Sequence, residues 1–133
     1  AMPEVDRFIY SLKEKTVDLT RMQEAAKVFI GEHDFSSFSA SRGEEDRGES
    51  KVRKVWKVNV VEVDQELQFI VEGGGFLYKM VRGMVGALFD VGAGKLLLSD
   101  IEEIFNAKKR TGRIVSAPAK GLCLEEVFYH SSK

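Results

Sequence analysis

The feature that most constrains this chain is a three-glycine break, Gly73-Gly74-Gly75, across which the apolar pattern changes period. Before it, Lys51 to Asp64 is rich in β-branched residues, and Val52, Trp56, Val58 and Val60 are read as one alternate face. After Gln65-Glu66, Leu67, Phe69 and Val71 repeat the alternation, so the pair predicts a β-hairpin. Beyond the break, Phe76 to Val91 sets Leu77, Met80, Val81, Met84, Val85 and Leu88 on one helical stripe, which predicts a central helix. The glycines read as a strand-to-helix turn with positive φ angles.

The flanking segments fill in the class. From Asp18, a plausible N-cap, Leu19, Met22, Ala25, Ala26, Phe29 and Ile30 recur at helical spacing, with Gly31 past the last turn. His33-Asp34-Phe35-Ser36-Ser37-Phe38 is short and polar yet carries two aromatics, and is expected to dock as a packed turn. Ser39 to Ser50 has no large apolar residue and reads as an exposed, flexible loop. Ser99 is expected to cap a further helix through Ala107, with Glu102 in the capping-box position and Ile101, Ile104 and Phe105 inward. A basic loop, Lys108 to Arg113, and an Ala117-Pro118 interruption precede a last strand at Leu122 to Tyr129. Val5 to Leu12 alternates loosely and suggests a short edge strand or a lead-in segment. The order helix, hairpin, helix, helix, strand predicts an α+β fold: an antiparallel or mixed sheet covered by helices on one face, in a single domain spanning residues 1–133.

Composition narrows the function. The chain has 133 residues, 20 Lys+Arg against 21 Asp+Glu, so a nucleic-acid site must be local rather than a property of the whole field. A lone cysteine, Cys123, fits a reducing compartment, and cytoplasm is the simplest expectation; no apolar run approaches the roughly 18 to 20 residues that span a bilayer. Ala1-Met2 reads as an expression scar. Gly94-Lys95 looks like the end of a P-loop, but Leu96 and Phe89 stand where a magnesium-binding hydroxyl and the cradle glycine belong. His33, His130 and Cys123 lack the paired spacing of a zinc site, so no metal is expected, and Ser36, Ser37 and Ser116 lack a nucleophile elbow.

One position invites chemistry. Arg82 borders the apolar stripe of the central helix, with Tyr78 one turn before it, Gly86 one turn after it and Gly83 adjacent. A helical glycine costs roughly 0.8–1 kcal/mol relative to alanine, so two of them suggest close approach by another backbone or a ligand, a cleft wall. An arginine there suits a bidentate grip on a buried carboxylate, which it would also keep ionised. Pairing to a surface glutamate remains the alternative.

Several segments together resemble the TruA family of tRNA pseudouridine synthases. Gly31-Glu32-His33-Asp34-Phe35-Ser36-Ser37-Phe38 is similar to the family's Gly-Glu-His-Asp-Phe segment, and Gly75-Phe76-Leu77-Tyr78-Lys79-Met80-Val81-Arg82 to its Phe-Leu-x-x-Met-Val-Arg motif. Gly86, Val91-Gly92, Lys108-Lys109-Arg110, Ala117-Pro118 and Gly121-Leu122-Cys123-Leu124 follow in order. Arg113-Ile114-Val115-Ser116 and Cys123 depart from the family's usual Ala-Gly-Thr stretch and tyrosine. The resemblance is to the C-terminal half of the enzyme. It implies isomerisation of uridine to pseudouridine near the tRNA anticodon stem-loop without a cofactor, the base leaving C1′ and returning through C5. The catalytic aspartate is expected in an N-terminal half; the one Arg-Thr pair here, Arg110-Thr111, is followed by Gly112. Arg82 would pair with that aspartate and Leu122 would pack beside the target base. RNA contact is expected from Lys51, Arg53, Lys54, Lys57, Lys79, Lys108, Lys109, Arg110 and Arg113, since phosphates need local positive charge. Partners implied are tRNA, the N-terminal domain and a second copy in a homodimer. A stand-alone RNA-binding module and a plain oligomerisation domain are the competing readings.

Overall fold

The computed structural model describes residues 5–13, 17–39, 50–64, 66–77, 79–108 and 124–131, with backbone only for the first and last of these segments. Five strands form one antiparallel sheet in the order β2-β3-β4-β1-β5. They are β1 (Val5–Lys13), β2 (Gly31–Asp34), β3 (Val52–Val63), β4 (Glu66–Gly73) and β5 (Leu124–Ser131). Three α-helices, α1 (Leu19–Val28), α2 (Met80–Gly92) and α3 (Leu98–Ala107), and one 3₁₀ turn (Ser36–Phe38) complete the described elements. The expected α+β class is the observed one, and the sheet is antiparallel throughout. Among the described residues no helix is long and apolar enough to cross a membrane.

The hairpin forms where the alternation predicts it, but its buried face differs. Val55, Val58 and Val60 reach the core with Leu67, Phe69 and Val71, whereas Val52 and Trp56 are exposed. The cause is a β-bulge: Val55 pairs with Gly73 and Lys57 with Glu72, leaving Trp56 as an extra residue. A bulge inserts one residue without a partner, so alternation counted through it inverts. Val5 to Leu12, expected as a short edge strand or a lead-in segment, belongs to β1, which lies inside the sheet because β5 pairs along its other side.

Asp18 caps α1, its Oδ1 accepting from the Arg21 N–H at 3.1 Å. Met22, Ala25 and Ala26 face the core from this helix. α2 starts at Met80, later than its apolar stripe suggested, because Lys79 adopts a left-handed conformation (φ 59°). Helical residues there are nearly all buried, as befits a helix apolar around most of its circumference. α3 begins one residue before the expected cap. Its N-cap is Leu97, and Asp100 rather than Glu102 reaches back, Oδ2 accepting from the Leu97 N–H at 2.8 Å. Asp100 stands three residues after the true cap, where a carboxylate meets the free N–H groups of the first turn.

The short segment after α1 docks as the expected packed turn, but an edge strand that the sequence did not suggest precedes it. Gly31–Asp34 is an edge strand, paired through His33 opposite Arg53, and Ser36–Phe38 is a 3₁₀ turn. Phe35 and Phe38 are fully buried. They meet Phe29 and Phe105 in mutually tilted contacts, with the Phe38 and Phe105 ring centroids 4.7 Å apart. His33 lies over Phe105 at 4.9 Å and its Nε2 is 3.0 Å from the Ile30 carbonyl oxygen. The buried Ser37 hydroxyl donates to the Ile104 carbonyl at 2.5 Å, tying the turn to α3. A single core joins this cluster to α1, α2, α3 and the inner face of β3 and β4.

Candidate functional site

The site is built at the start of α2. Gly73 ends β4 so close to β3 that a Cβ would stand 2.6 Å from the Lys54 carbonyl oxygen, and the Gly74 N–H donates to the same oxygen at 3.0 Å. The chain then turns through Gly75 (φ 143°), inserts Leu77 into the core and reaches Lys79. The Leu77 carbonyl accepts from the Met80 N–H at 3.0 Å, closing the first turn. Lys79 is exposed, and Arg82, on that first turn, is half-buried between buried Val81 and Gly83.

Gly83 has a structural reason. A Cβ on it would stand 2.3 Å from the Phe38 carbonyl oxygen, so the 3₁₀ turn presses its backbone directly onto α2 beside Arg82. The close approach expected at this glycine is real, but the approaching group is the Phe38 backbone and not a ligand. Gly83 therefore reports how α2 is braced rather than a cleft wall; Gly86 is buried.

The electrostatics of this helix end are unusual. The first turn of α2 carries no acidic residue, while Lys79 precedes it and Arg82 lies within it. The N-terminal end of a helix is already the positive end of its dipole, and a cation there is disfavoured by roughly 0.3–1 kcal/mol. Together with two cationic side chains, the positive end of the helix dipole makes this end suited to a carboxylate or phosphate.

The remaining basic residues separate into two groups. Arg53 shares the alternate face of buried Val55, and its Nη1 donates to the Ser50 and Val52 carbonyls at 2.8 and 2.9 Å. On this side too is Lys108, exposed at the left-handed C-cap of α3 and close enough to act on Asp34. Asp34 has its carboxyl held below the usual range, chiefly by the Ser36 hydroxyl, which donates at 2.5 Å, then by the Ser36 N–H and by Lys108; partial burial opposes them. Lys51, half-buried, uses its carbonyl to accept from the Phe35 N–H at 2.9 Å. Lys54 and Lys57 lie on the opposite face of the sheet, Lys57 Nζ standing 4.0 Å from Glu72 Oε2. The hairpin cations thus do not form one continuous stripe, because strand alternation sends neighbours to opposite faces. Lys109, Arg110, Arg113, Leu122, Tyr78 and the 40–49 loop lie outside the described residues.

Sequence reasoning passed over Trp56, which it read on one alternate face with Val52, Val58 and Val60. The available signal was the spacing of the valines: 55, 58 and 60 step by three and then by two, a slip that a continuous strand cannot accommodate without a bulge.

An antiparallel α+β domain with a cationic helix start defines the class, and comparison with known proteins gives the family. A family model described as tRNA pseudouridine synthase matches residues 25–130, and the chain belongs to that family. Curated relatives called tRNA pseudouridine synthase A from Staphylococcus aureus strains JH1, N315 and Newman are 41% identical over 114 residues. That match covers 86% of this chain and 42% of each relative, so the chain spans less than half the length of these relatives. A solved Cbf5-Nop10-Gar1 complex superposes with a TM-score of 0.47 at 20% identity, over 68% of this chain and 27% of the other.

Proposed function

We propose that this chain is the C-terminal domain of a tRNA pseudouridine synthase that isomerises uridine in the anticodon stem-loop. In this reading residues 1–133 form one domain with a flexible loop at about 39–50, and the catalytic aspartate belongs to an N-terminal domain outside the chain. The observation that carries it is the cationic start of α2, with Arg82 half-buried on a helix braced from behind by the Phe38 carbonyl at Gly83.

An aspartate assists cleavage of the C1′–N1 bond and re-attachment through C5 only while it is ionised and held in place. A guanidinium at bonding distance does both, since an opposite charge lowers a carboxyl pKa and a two-pronged contact fixes its plane. Bracing matters because a helix end that moved would carry the guanidinium with it. Leu122 packs beside the target base in this reading. Lys51, Arg53, Lys54, Lys57, Lys79, Lys108, Lys109, Arg110 and Arg113 neutralise phosphates at separate points of a folded tRNA, which suits the distribution of the described hairpin cations over two faces. The full enzyme acts as a homodimer in the cytoplasm, and this domain alone forms no pseudouridine.

The test is to mix the chain with the separately produced N-terminal half of its parent and to assay pseudouridine in unmodified tRNA. Activity is expected only in the mixture. Arg82→Ala should lower it by on the order of 10²-fold, as removal of one partner of a desolvated ion pair costs about 3 kcal/mol or more. An Arg82→Ala mixture as active as wild type would remove Arg82 from the site.

A further inference from the structure

The bulge in β3 leaves one side chain without an explanation in the core. Trp56 is the single tryptophan of the chain and is 38% exposed. A bulge puts two successive residues on the same side of a strand, and here Trp56 and Lys57 share the sheet face that carries Lys54. The indole lies beside Gly74: a Cβ built there would stand 3.5 Å from Cζ3 and 3.9 Å from Cη2, so a methyl would fit between them. Gly74 is exposed, so the ring lies over surface backbone and not in the core.

The surroundings say what chemistry suits this ring. Lys54 is exposed, and its carbonyl holds the Gly74 N–H at 3.0 Å, so the strand bearing the cations and the floor under the indole are tied together. Lys57 meets Glu72 at 4.0 Å between partly exposed side chains, a long contact that leaves the ammonium available to a phosphate. The loop that carries Gly74 continues directly to Lys79 and the first turn of α2 with Arg82. A flat aromatic surface between two cations, one loop from a cationic helix start, matches an unpaired nucleotide: a base to stack and a phosphate on either side.

We propose that Trp56 is a stacking platform for one unpaired base of the RNA, with Lys54 and Lys57 contacting the flanking phosphates. The proposal rests on the RNA-modifying function above and adds a contact on the sheet face away from the helices. Stacking uses the π-face that every base has, so the platform holds its nucleotide with little preference for base identity.

Because Trp56 is the single indole, its emission reports the site directly. Unmodified tRNA is titrated into the chain and into its mixture with the N-terminal half, while anisotropy of labelled tRNA measures affinity independently. Saturable quenching is expected at the same dissociation constant that anisotropy gives. Trp56→Ala should weaken binding about tenfold and Trp56→Phe much less, as base stacking on an aromatic side chain predicts. Lys54→Ala and Lys57→Ala should each flatten the salt dependence. RNA bound with unchanged emission, or bound equally by Trp56→Ala, overturns the platform and leaves RNA binding intact. No binding by anisotropy in the chain or the mixture overturns both. Emission that changes with chain concentration in the absence of RNA overturns the platform in favour of a second copy covering the indole. The quenching arm uses the unaltered chain, so the test stands even if a variant folds poorly.

Discussion

Aromatic residues serve two regions of this domain in opposite ways. Behind α2, Phe29, Phe35, Phe38 and Phe105 pack ring against ring, fully or mostly out of water, and the Phe38 backbone reaches the helix at Gly83 with no room to spare. On the far face of the sheet, Trp56 lies beside an exposed glycine with room between them for a methyl. The first region is determined from several sides at once, so its geometry is shared by α2, α3 and the 3₁₀ turn. The second is determined by one bulge. The comparison suggests a division of labour in which the interlocked cluster holds the helix that bears Arg82, while the bulge displays a side chain whose partner comes from outside.

The sharpest way to break that comparison is to empty the cluster. Phe38→Ala should cost about 3–5 kcal/mol in urea or thermal unfolding, because it removes a fully buried ring that meets three others. A loss near 1 kcal/mol would mean the cluster is loosely packed. Next in size is Gly83→Ala. The added methyl gains up to about 1 kcal/mol of helix propensity but meets the Phe38 carbonyl oxygen at 2.3 Å, so a net loss of about 2 kcal/mol is expected. Gly74→Ala is its counterpart under Trp56, where the methyl sits at 3.5 Å and the change should stay within about 0.5 kcal/mol. Equal effects at the two glycines would erase the distinction between a clamped region and a displayed one.

How much of this was legible beforehand follows the same line. The hairpin, the central helix and the α+β class could be read because each rests on a repeating apolar pattern with clear breaks, as in Leu67, Phe69 and Val71 or Met80, Val81, Met84 and Val85. The edge strand at Gly31–Asp34 could not, since four residues of Gly-Glu-His-Asp carry no period and pair only because β3 extends beside them. Trp56 was misassigned because one inserted residue inverts alternation, and the cap of α3 because a backbone N–H bound by Asp100 requires no special residue at position 97. At the site, Gly83 correctly announced a close approach, but the sequence offers no means of telling a carbonyl 45 positions earlier in the chain from a ligand; only the fold brings Phe38 to Gly83. Cations were identifiable as residues and not as a surface, because their faces depend on the bulge and on the α3 terminus.

The smallest expected effect tests whether the turn feeding the cluster is held by charge. Asp34 has its carboxyl pKa lowered from 3.8, first through the Ser36 hydroxyl, then the Ser36 N–H and Lys108, against a raising contribution from burial. A depressed folded-state value means the unfolded chain takes up the proton first as pH falls, so the stabilisation is fully present above about 3.8 and disappears as pH drops through the folded value. Ser36→Ala removes the largest lowering contact while keeping the backbone N–H, and should cost about 1 kcal/mol at neutral pH. Unfolding curves of wild type and Ser36→Ala should therefore differ at pH 7 and converge in acid below 3.8. If the gap persists undiminished in acid, the hydroxyl supports the 3₁₀ turn by neutral hydrogen bonding, and the ionised carboxylate contributes nothing to holding Phe35 and Phe38 against α2.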